Sequence, residues 1–209
     1  LVLPAFAEEM NKSRHLFSQC RQQLCRQGGS WFLLDPYGTG DSEGDLEQTD
    51  VLVWRDDLQS LLALLQQRGY QAMNVLAMRF GALQLIDLLA QATPLALRLH
   101  KVVLWQPQLQ SAQFLQQFFR LKIAEQMAVG EKTSQKVLEQ QLAAGEVLEI
   151  AGYPLTARFV DSIRQLKDVD ALLSHLQSQQ SPHIPLLWLE TSNLPNLSPQ
   201  VEKAAAQLS

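Results

Sequence analysis

The sequence predicts an α/β fold in which a mostly parallel sheet is flanked by helices, and three observations support this. Apolar runs of strand length alternate with helical patterns over the first half of the chain. One of these runs, residues 31–34, is continuously apolar, as in a strand buried on both faces of a parallel sheet. A chain of 209 residues, 46% of them hydrophobic, can also bury the core of one globular domain.

The elements of the first half follow from apolar spacing and from the glycines and prolines that interrupt it. An apolar stripe of Leu16, Cys20 and Leu24 predicts the first helix, and Trp54 with four leucines predicts the second. The predicted elements are, in order, a strand ending at 1–3, a helix up to Gly28, a buried strand at 31–34, a helix from Asp50 to Gly69, a strand at 73–77, an apolar helix after Arg79 and a strand at 101–105.

The alternation lapses between residues 108 and 182, which predicts an insertion. Its expected elements are helices around 114–127 and 135–144, a short strand at 147–150, a turn at Gly152 and a helix containing Phe159 and Leu166. The sheet resumes at 184–189, and Ser198 and Pro199 are expected to begin a last helix. The predicted organisation is therefore a core of residues 1–107 and 183–209 with an insertion at 108–182.

Composition excludes several classes of function. A net charge of −4 with scattered basic residues predicts no nucleic-acid partner. No apolar run reaches the roughly 20 residues of a membrane span. At a spacing of five residues on a predicted helix, Cys20 and Cys25 point in different directions and cannot form a normal disulfide. We therefore expect a reduced, cytoplasmic protein. No cluster has metal-ligand spacing, and no metal or cofactor is expected. Because the sequence opens directly on LVLP, we expect that further strands precede Leu1 in the full protein, in a segment that could carry a targeting signal.

Arg79 stands at a sharp corner between an apolar strand and an apolar helix. In serine hydrolases this corner reads G-x-S-x-G, with the nucleophile at its tip. Ala77 and Gly81 supply the small residues that such a corner needs. Arginine stays protonated at ordinary pH and cannot be a nucleophile, so acyl-enzyme chemistry through this position is excluded.

Several segments together resemble the α/β-hydrolase superfamily. They read PAFAEEMNKS at 4–13, DPYGTGDSEGD at 35–45, which matches D-x-x-G-x-G-x-S, and LAMRFG at 76–81. The first two, with LWQP at 104–107 and GEVLEIAGYPL at 145–155, are similar to one branch, the exosortase A system-associated hydrolases linked to PEP-CTERM and exopolysaccharide loci. The resemblance implies an α/β-hydrolase fold with a helical lid at 108–182, in a bacterial protein nominally acting on an ester or similar bond.

The resemblance also places the family's site residues. It puts the oxyanion-hole loop at PAFAEEMN, including Phe6, and a backbone oxyanion donor at Phe80. The acid should follow the strand IPLLWL, where only Glu190 is charged among Glu190, Thr191, Ser192 and Asn193. The histidine should follow one further strand, after Ser209. His15, His100, His175 and His183 are not at that place, so no triad can be assembled from these residues.

Three interpretations of Arg79 stay open. Its charge can pair internally with Glu8 or Glu9, which the PAFAEEMN loop should bring beside the corner. It can instead bind a small anionic or acyl ligand, helped by the N–H groups that begin the helix, such as that of Phe80. A third interpretation keeps some unconventional catalysis. The competing functions are thus a hydrolase and a pseudoenzyme that uses the former pocket for binding or as a scaffold.

An apolar face opens the insertion and offers its own alternatives. Phe114, Phe118 and Phe119 could line a lipid-like pocket beneath a lid or form a partner surface. They could equally pack a lid helix onto the sheet domain or onto a second copy in a homodimer.

Overall fold

The computed structural model describes residues 1–178, 184–191 and 199–208. These form two compact units. The first comprises Leu1–Leu34, Gln59–Leu109 and the described part of Lys167–Ser209, and the second comprises Asp35–Leu58 and Gln110–Leu166. His183, Ser192, Asn193 and Ser198, which the sequence analysis singled out, lie outside the described residues.

A four-stranded sheet with every pairing parallel is the centre of the first unit. Its strands are β1 (Val2–Leu3), β2 (Ala72–Met78), β3 (Arg98–Trp105) and β6 (Leu186–Leu189), in the order β1-β2-β3-β6. Val75 and Ala77 of β2 are 1% and 0% exposed. The parallel pairing confirms the predicted type of sheet and brings the carboxyl ends of all four strands to one edge.

Apart from α7, the helices of the first unit begin and end close to the sequence signals. They are α1 (Glu8–Arg26), the later part of α2 (Val51–Gln67), α3 (Phe80–Leu89), α7 (Val169–Ser178) and α8 (Pro199–Leu208). Helix α3 is almost entirely buried, as its apolar composition predicts. Its one carboxylate, Asp87, is 1% exposed and accepts hydrogen bonds from the Lys167 backbone N–H and the Gln91 side chain. This pairing satisfies a polar group that would otherwise be costly to bury.

The second unit is mainly helical. It holds a 3₁₀ turn (Leu46–Gln48), the start of α2, then α4 (Ser111–Ala128), α5 (Gln135–Ala143) and α6 (Ala157–Arg164). Between α5 and α6 lies an antiparallel hairpin of β4 (Leu148–Ile150) and β5 (Tyr153–Leu155), which turns at Gly152 with φ 82°. Side chains from three of these elements, Leu138, Ile150 and Phe159, are each 0% exposed and contribute to its core.

Asp50 ties the start of α2 to α6 within the second unit. Its Oδ1 accepts the backbone N–H groups of Leu52 and Val53 at 2.9 and 3.0 Å, and its Oδ2 lies 2.7 Å from the Arg158 guanidinium. Burial raises the pKa of the carboxyl, but the Val53 N–H, Arg158 and the Leu52 N–H together outweigh it and hold the pKa below its ordinary 3.8. The ionised form therefore stabilises the fold.

Two predictions about the first 34 residues are wrong. Residues 31–34 are not a buried strand, because they form a single bridge, Leu33 to Val2, and Leu33 is 37% exposed. Within the described residues this segment has a partner on one side only, the two-residue strand β1. In α1 the buried positions are Ser13 and Phe17, while Leu24 of the predicted stripe is 39% exposed. A ring contact of Phe17 with Trp31 orients that helix face.

The compact units differ in extent from the insertion at 108–182, which stays a prediction. The second unit ends at Leu166 and includes residues 35–58, whereas the sequence-based insertion ran from 108 to 182. Helix α7 belongs to the first unit, where the Val169 N–H donates to the Leu109 carbonyl. Helix α7 and strand β5 were both missed, because a short amphipathic segment does not reveal the surface on which it packs. No helix in the described part of the chain is long and apolar enough to cross a bilayer.

Candidate functional site

Backbone strain is concentrated at the carboxyl edge of the sheet. Four non-glycine residues of the described chain have a positive φ, and three of them follow strands of this sheet: Ala7 (58°) after β1, Arg79 (52°) after β2 and Gln106 (44°) after β3. Each such residue costs about 1–3 kcal/mol, and strained residues cluster at functional sites. The same edge is where open α/β sheets bind ligands, so we take it as the candidate site.

The corner at Arg79 is a strained turn held by backbone hydrogen bonds. Its φ and ψ are 52° and −117°. The Arg79 N–H donates to the Trp105 carbonyl at 3.0 Å, and its carbonyl accepts from the N–H groups of Gln108 and Ala82 at 3.0 and 3.1 Å. Two of these partners follow or end β3, so the turn between β2 and α3 is held by the neighbouring strand. The corner thus has the sharp strand-to-helix form typical of a nucleophile elbow.

Packing explains the small residues on both sides of the corner. Ala77 is 0% exposed. A Cβ added to Gly81 would lie 2.5 Å from the carbonyl carbon of Leu3 and 2.6 Å from the carbonyl oxygen of Pro4. Helix α3 therefore begins in direct contact with the backbone that leaves β1, and only glycine leaves room for that approach.

The Arg79 side chain forms an ion pair with Glu9. Its Nε lies 3.1 and 3.3 Å from the two carboxylate oxygens, and its Nη1 donates to the Gln106 carbonyl at 3.4 Å. The side chains of Arg79 and Glu9 are 27% and 49% exposed. Glu8 takes no part, since its carboxylate lies 3.8 Å from Lys12 one turn along α1. Among the described residues, Nη2 has no hydrogen-bond partner and can donate to a ligand or to water.

Phe6 and Phe80 are close in sequence to Glu9 and Arg79, and their rings contact each other. Their ring centroids are 5.7 Å apart with an interplanar angle of 50°, and the residues are 8% and 1% exposed. Phe80 is the first residue of α3, so its backbone N–H lies at the start of that helix. The role of that N–H as an oxyanion-type donor stays a prediction.

Gln106 is the site residue that sequence reasoning missed. Its N–H donates to the Leu189 carbonyl at 2.8 Å, its side chain donates to the Thr191 carbonyl at 3.2 Å, and its own carbonyl accepts from Arg79. It therefore joins the ends of β3 and β6 to the arginine. The available signal was its place, directly after a buried strand and before Pro107.

The structure does not bring histidines to this edge within the described residues. His15 is on α1 beside Gln19, His100 is exposed on β3, and His175 is on α7. Glu190, the candidate acid, accepts a hydrogen bond from the Trp188 indole at 2.7 Å. No group of three or more His, Cys, Asp or Glu among the described residues is placed to hold a metal ion.

Other predicted site residues lie in the second unit. Phe114, Phe118 and Phe119 on α4 are 7%, 8% and 1% exposed, and the first two stack with centroids 5.6 Å apart. Burial removes them from any exposed apolar face, and their role as pocket lining stays a prediction. So does the homodimer. Cys20 and Cys25 are both unbridged.

A cavity of about 360 Å³ lies elsewhere in the first unit. It is mostly apolar and is lined by residues such as Trp31, Phe32, Met73 and His100, near the amino ends of β2 and β3. Arg79, Glu9 and Gln106 are not among the residues that line it. The site at Arg79 is therefore identified by strain, charge and topology rather than by this cavity.

Comparisons with known proteins support the fold. No protein-family model and no curated protein matches the chain. The crystal structure of a proposed hydrolase from Agrobacterium vitis S4 is similar, with a TM-score of 0.56 and 13% sequence identity, over 100% of this chain and 87% of that one. At this identity the similarity concerns the fold alone. The chain has an α/β fold, with a mostly parallel central sheet flanked by helices, similar to the fold of that protein.

Proposed function

We propose that this chain is a protein of the exosortase-associated hydrolase type whose elbow binds an acyl or anionic group of a small ligand instead of attacking it. The observation that carries the proposal is the arginine at the tip of the strained corner, where a serine hydrolase holds its nucleophile. The sequence motifs at 4–13, 35–45, 104–107 and 145–155 support the assignment to that branch. A helical lid within residues 108–182 is part of the same proposal.

The chemistry of the guanidinium favours binding. It has five N–H donors, no acceptor and a permanent positive charge, so it can hold an oxygen but cannot open an ester by nucleophilic attack. Arg79 donates from Nε to the Glu9 carboxylate and from Nη1 to the Gln106 carbonyl, and its side chain remains 27% exposed. The N-terminus of α3 adds a positive electrostatic potential that also favours oxygen acceptors. The site is therefore suited to an acyl or carboxylate oxygen.

Strain at three consecutive strand ends gives this proposal a second support. Ala7, Arg79 and Gln106 each hold a costly backbone conformation, and a hydrogen bond from the Arg79 side chain to the Gln106 carbonyl connects two of them across the edge. Such strain persists only where the surrounding structure enforces it. A preorganised arginine loses little conformational entropy when a ligand binds.

Ligand-induced stabilisation tests the proposal. Purified protein is heated with and without saturating short-chain fatty acids, fatty-acid amides and acyl esters, and release of p-nitrophenol from its esters is followed in parallel. We expect at least one acyl compound, present at about 100 times its Kd, to raise Tm by several degrees. Ester turnover should match the uncatalysed rate. The increase in Tm should disappear in Arg79→Ala and in Arg79→Gln.

Arg98 provides a matched control, because it is an exposed arginine at the opposite, amino end of β3. Arg98→Ala should keep the ligand-induced increase in Tm. If no acyl compound stabilises the wild type, or if Arg79→Ala and wild type respond alike, the binding function is wrong.

A second candidate function is hydrolysis of an ester or similar bond. The fold similarity to a proposed hydrolase favours it. Ester turnover that Arg79→Ala abolishes, while Arg98→Ala retains it, would establish this alternative and refute the binding-only proposal.

A further inference from the structure

Glu9 sets the electrostatic character of the elbow. Its carboxylate lies 3.1 Å from Arg79 Nε, so the pair as a whole carries no net charge. The remaining hydrogen-bonding capacity of the guanidinium is at Nη1 and Nη2, since Nε faces Glu9. Any ligand oxygen that approaches these donors also approaches the Glu9 carboxylate on the same guanidinium.

From this pairing we infer that the elbow selects an uncharged acyl oxygen, such as an ester or amide carbonyl, over a carboxylate or phosphate, and that Glu9 is the residue responsible. The inference rests on the proposed ligand-binding function and names its ligand class. A carbonyl oxygen accepts a hydrogen bond from Nη2 without bringing a second negative charge beside Glu9. A carboxylate does bring that charge, and the repulsion between the two like charges weakens its binding.

The geometry of the donors leads to the same ligand class. Arginine grips a carboxylate best with two parallel N–H groups. One such pair, Nε with Nη2, is compromised because Nε already donates to both oxygens of Glu9. The other pair, Nη1 with Nη2, keeps one N–H on each nitrogen, but the Gln106 carbonyl is a competing acceptor 3.4 Å from Nη1. A carbonyl needs only one donor, which Nη2 supplies.

The backbone keeps Glu9 at this position. Helix α1 begins one residue earlier, after Ala7 with its φ of 58°. The Glu9 carbonyl accepts a hydrogen bond at 2.9 Å from Ser13 Oγ, and Ser13 is 5% exposed. The carboxylate is thus presented by an ordered first turn of helix. Because Glu9 is 49% exposed, replacing it should change the charge of the site with little effect on the core.

Two probes that differ only in charge test the inference. Hexanamide and hexanoate share one alkyl chain, and their Kd values are measured at pH 7 by ligand-observed NMR on wild type, Glu9→Gln and Glu9→Ala. For wild type we expect hexanamide to bind at least as tightly as hexanoate. Removing the Glu9 charge should tighten hexanoate binding by about three- to fivefold, the upper range of couplings between partly exposed charges, and change hexanamide binding less than about twofold.

Glu8→Gln is the matched control. It removes the same charge one residue earlier, from a carboxylate that pairs with Lys12 and not with Arg79. Its ratio of the two Kd values should equal that of wild type, which separates a local effect from a change in net charge.

The possible failures are distinguishable. If wild type binds hexanoate at least tenfold tighter than hexanamide, or if both Glu9 variants keep the wild-type ratio, the selectivity is refuted although Arg79-dependent binding remains. If neither probe binds wild type or any variant, the ligand-binding function itself fails, and the selectivity fails with it. Circular dichroism and Tm of each variant confirm that the fold is retained.

Discussion

Replacing Gly81 with alanine should destabilise the protein, although the residue lies inside a helix where alanine is normally preferred. Alanine stabilises helix interiors by up to about 1 kcal/mol relative to glycine. At this position a Cβ would lie 2.5 Å from the Leu3 carbonyl carbon and 2.6 Å from the Pro4 carbonyl oxygen. The expected effect therefore has the opposite sign to the one that helix propensity predicts.

The magnitude follows from the displacement that the methyl group requires. Ordinary contact begins at 3.4 Å, and the Leu3 carbonyl oxygen lies even nearer than the Leu3 carbonyl carbon at 2.5 Å, so α3 and the backbone after β1 must separate by at least about 0.9 Å. Neither element can move freely, because Val2 and Leu83 on the two sides are 2% and 0% exposed. Overpacking of a core costs about 1–3 kcal/mol, and a clash with backbone belongs at the upper end. We expect a loss of about 3 kcal/mol, or roughly 6–12 °C in Tm for a chain of this length.

Urea unfolding followed by circular dichroism measures this loss. The midpoint should fall while the slope stays unchanged, since the surface exposed on unfolding is the same. Gly130→Ala is the comparison: Gly130 has φ 83° and nothing within 4 Å of an added Cβ, so it reports the cost of a left-handed alanine without crowding, about 1 kcal/mol. A Gly81→Ala protein as stable as wild type would refute the close approach of α3 to β1.

Two further expectations concern ion pairs. Asp50 has a lowered pKa, so its ionised form stabilises the fold above its unfolded pKa of 3.8, and this contribution is lost as pH falls through the still lower folded value. In urea unfolding the advantage of wild type over Asp50→Asn should therefore be largest at pH 5–7 and shrink as pH falls below 3.8; an advantage that does not vary with pH would contradict this. For Arg79 and Glu9, which are 27% and 49% exposed, a double-mutant cycle with Arg79→Met and Glu9→Gln should give a coupling of about 0.2–1 kcal/mol. A coupling above about 3 kcal/mol would instead indicate a desolvated pair.

The central part of the fold could be predicted because its signals are local. The second half of β2 (residues 75–78) and of β3 (residues 102–105) is apolar, and the helix after Arg79 is apolar on nearly every face, so burial follows directly from composition. Residues 31–34 carry an equally apolar run and yet form only one bridge. An apolar run reports a preference for burial, whereas a strand also requires a neighbour that pairs with it in register over several residues.

Boundaries between the compact units could not be predicted for a similar reason. Helix α7 has an ordinary amphipathic pattern, which does not show that its Val169 joins a cluster with Ile86 and Leu109 in the first unit. The segment 35–58 likewise belongs to the second unit although it precedes β2 in the chain. Contacts between distant segments depend on the complete chain path and leave little trace in local periodicity.

By itself, the sequence determined what the corner cannot do. An arginine at the tip excludes nucleophilic attack through that residue, and the small residues around it indicate a tight strand-to-helix turn, since both conclusions depend only on residue chemistry and local backbone geometry. Tertiary structure alone decided which partner Arg79 has. Glu8 and Glu9 are adjacent in sequence and chemically identical, but successive residues of a helix differ by about 100° in direction, so only Glu9 faces a guanidinium 70 residues away. The contribution of Gln106 likewise depends on the parallel pairing that brings the ends of β2, β3 and β6 together.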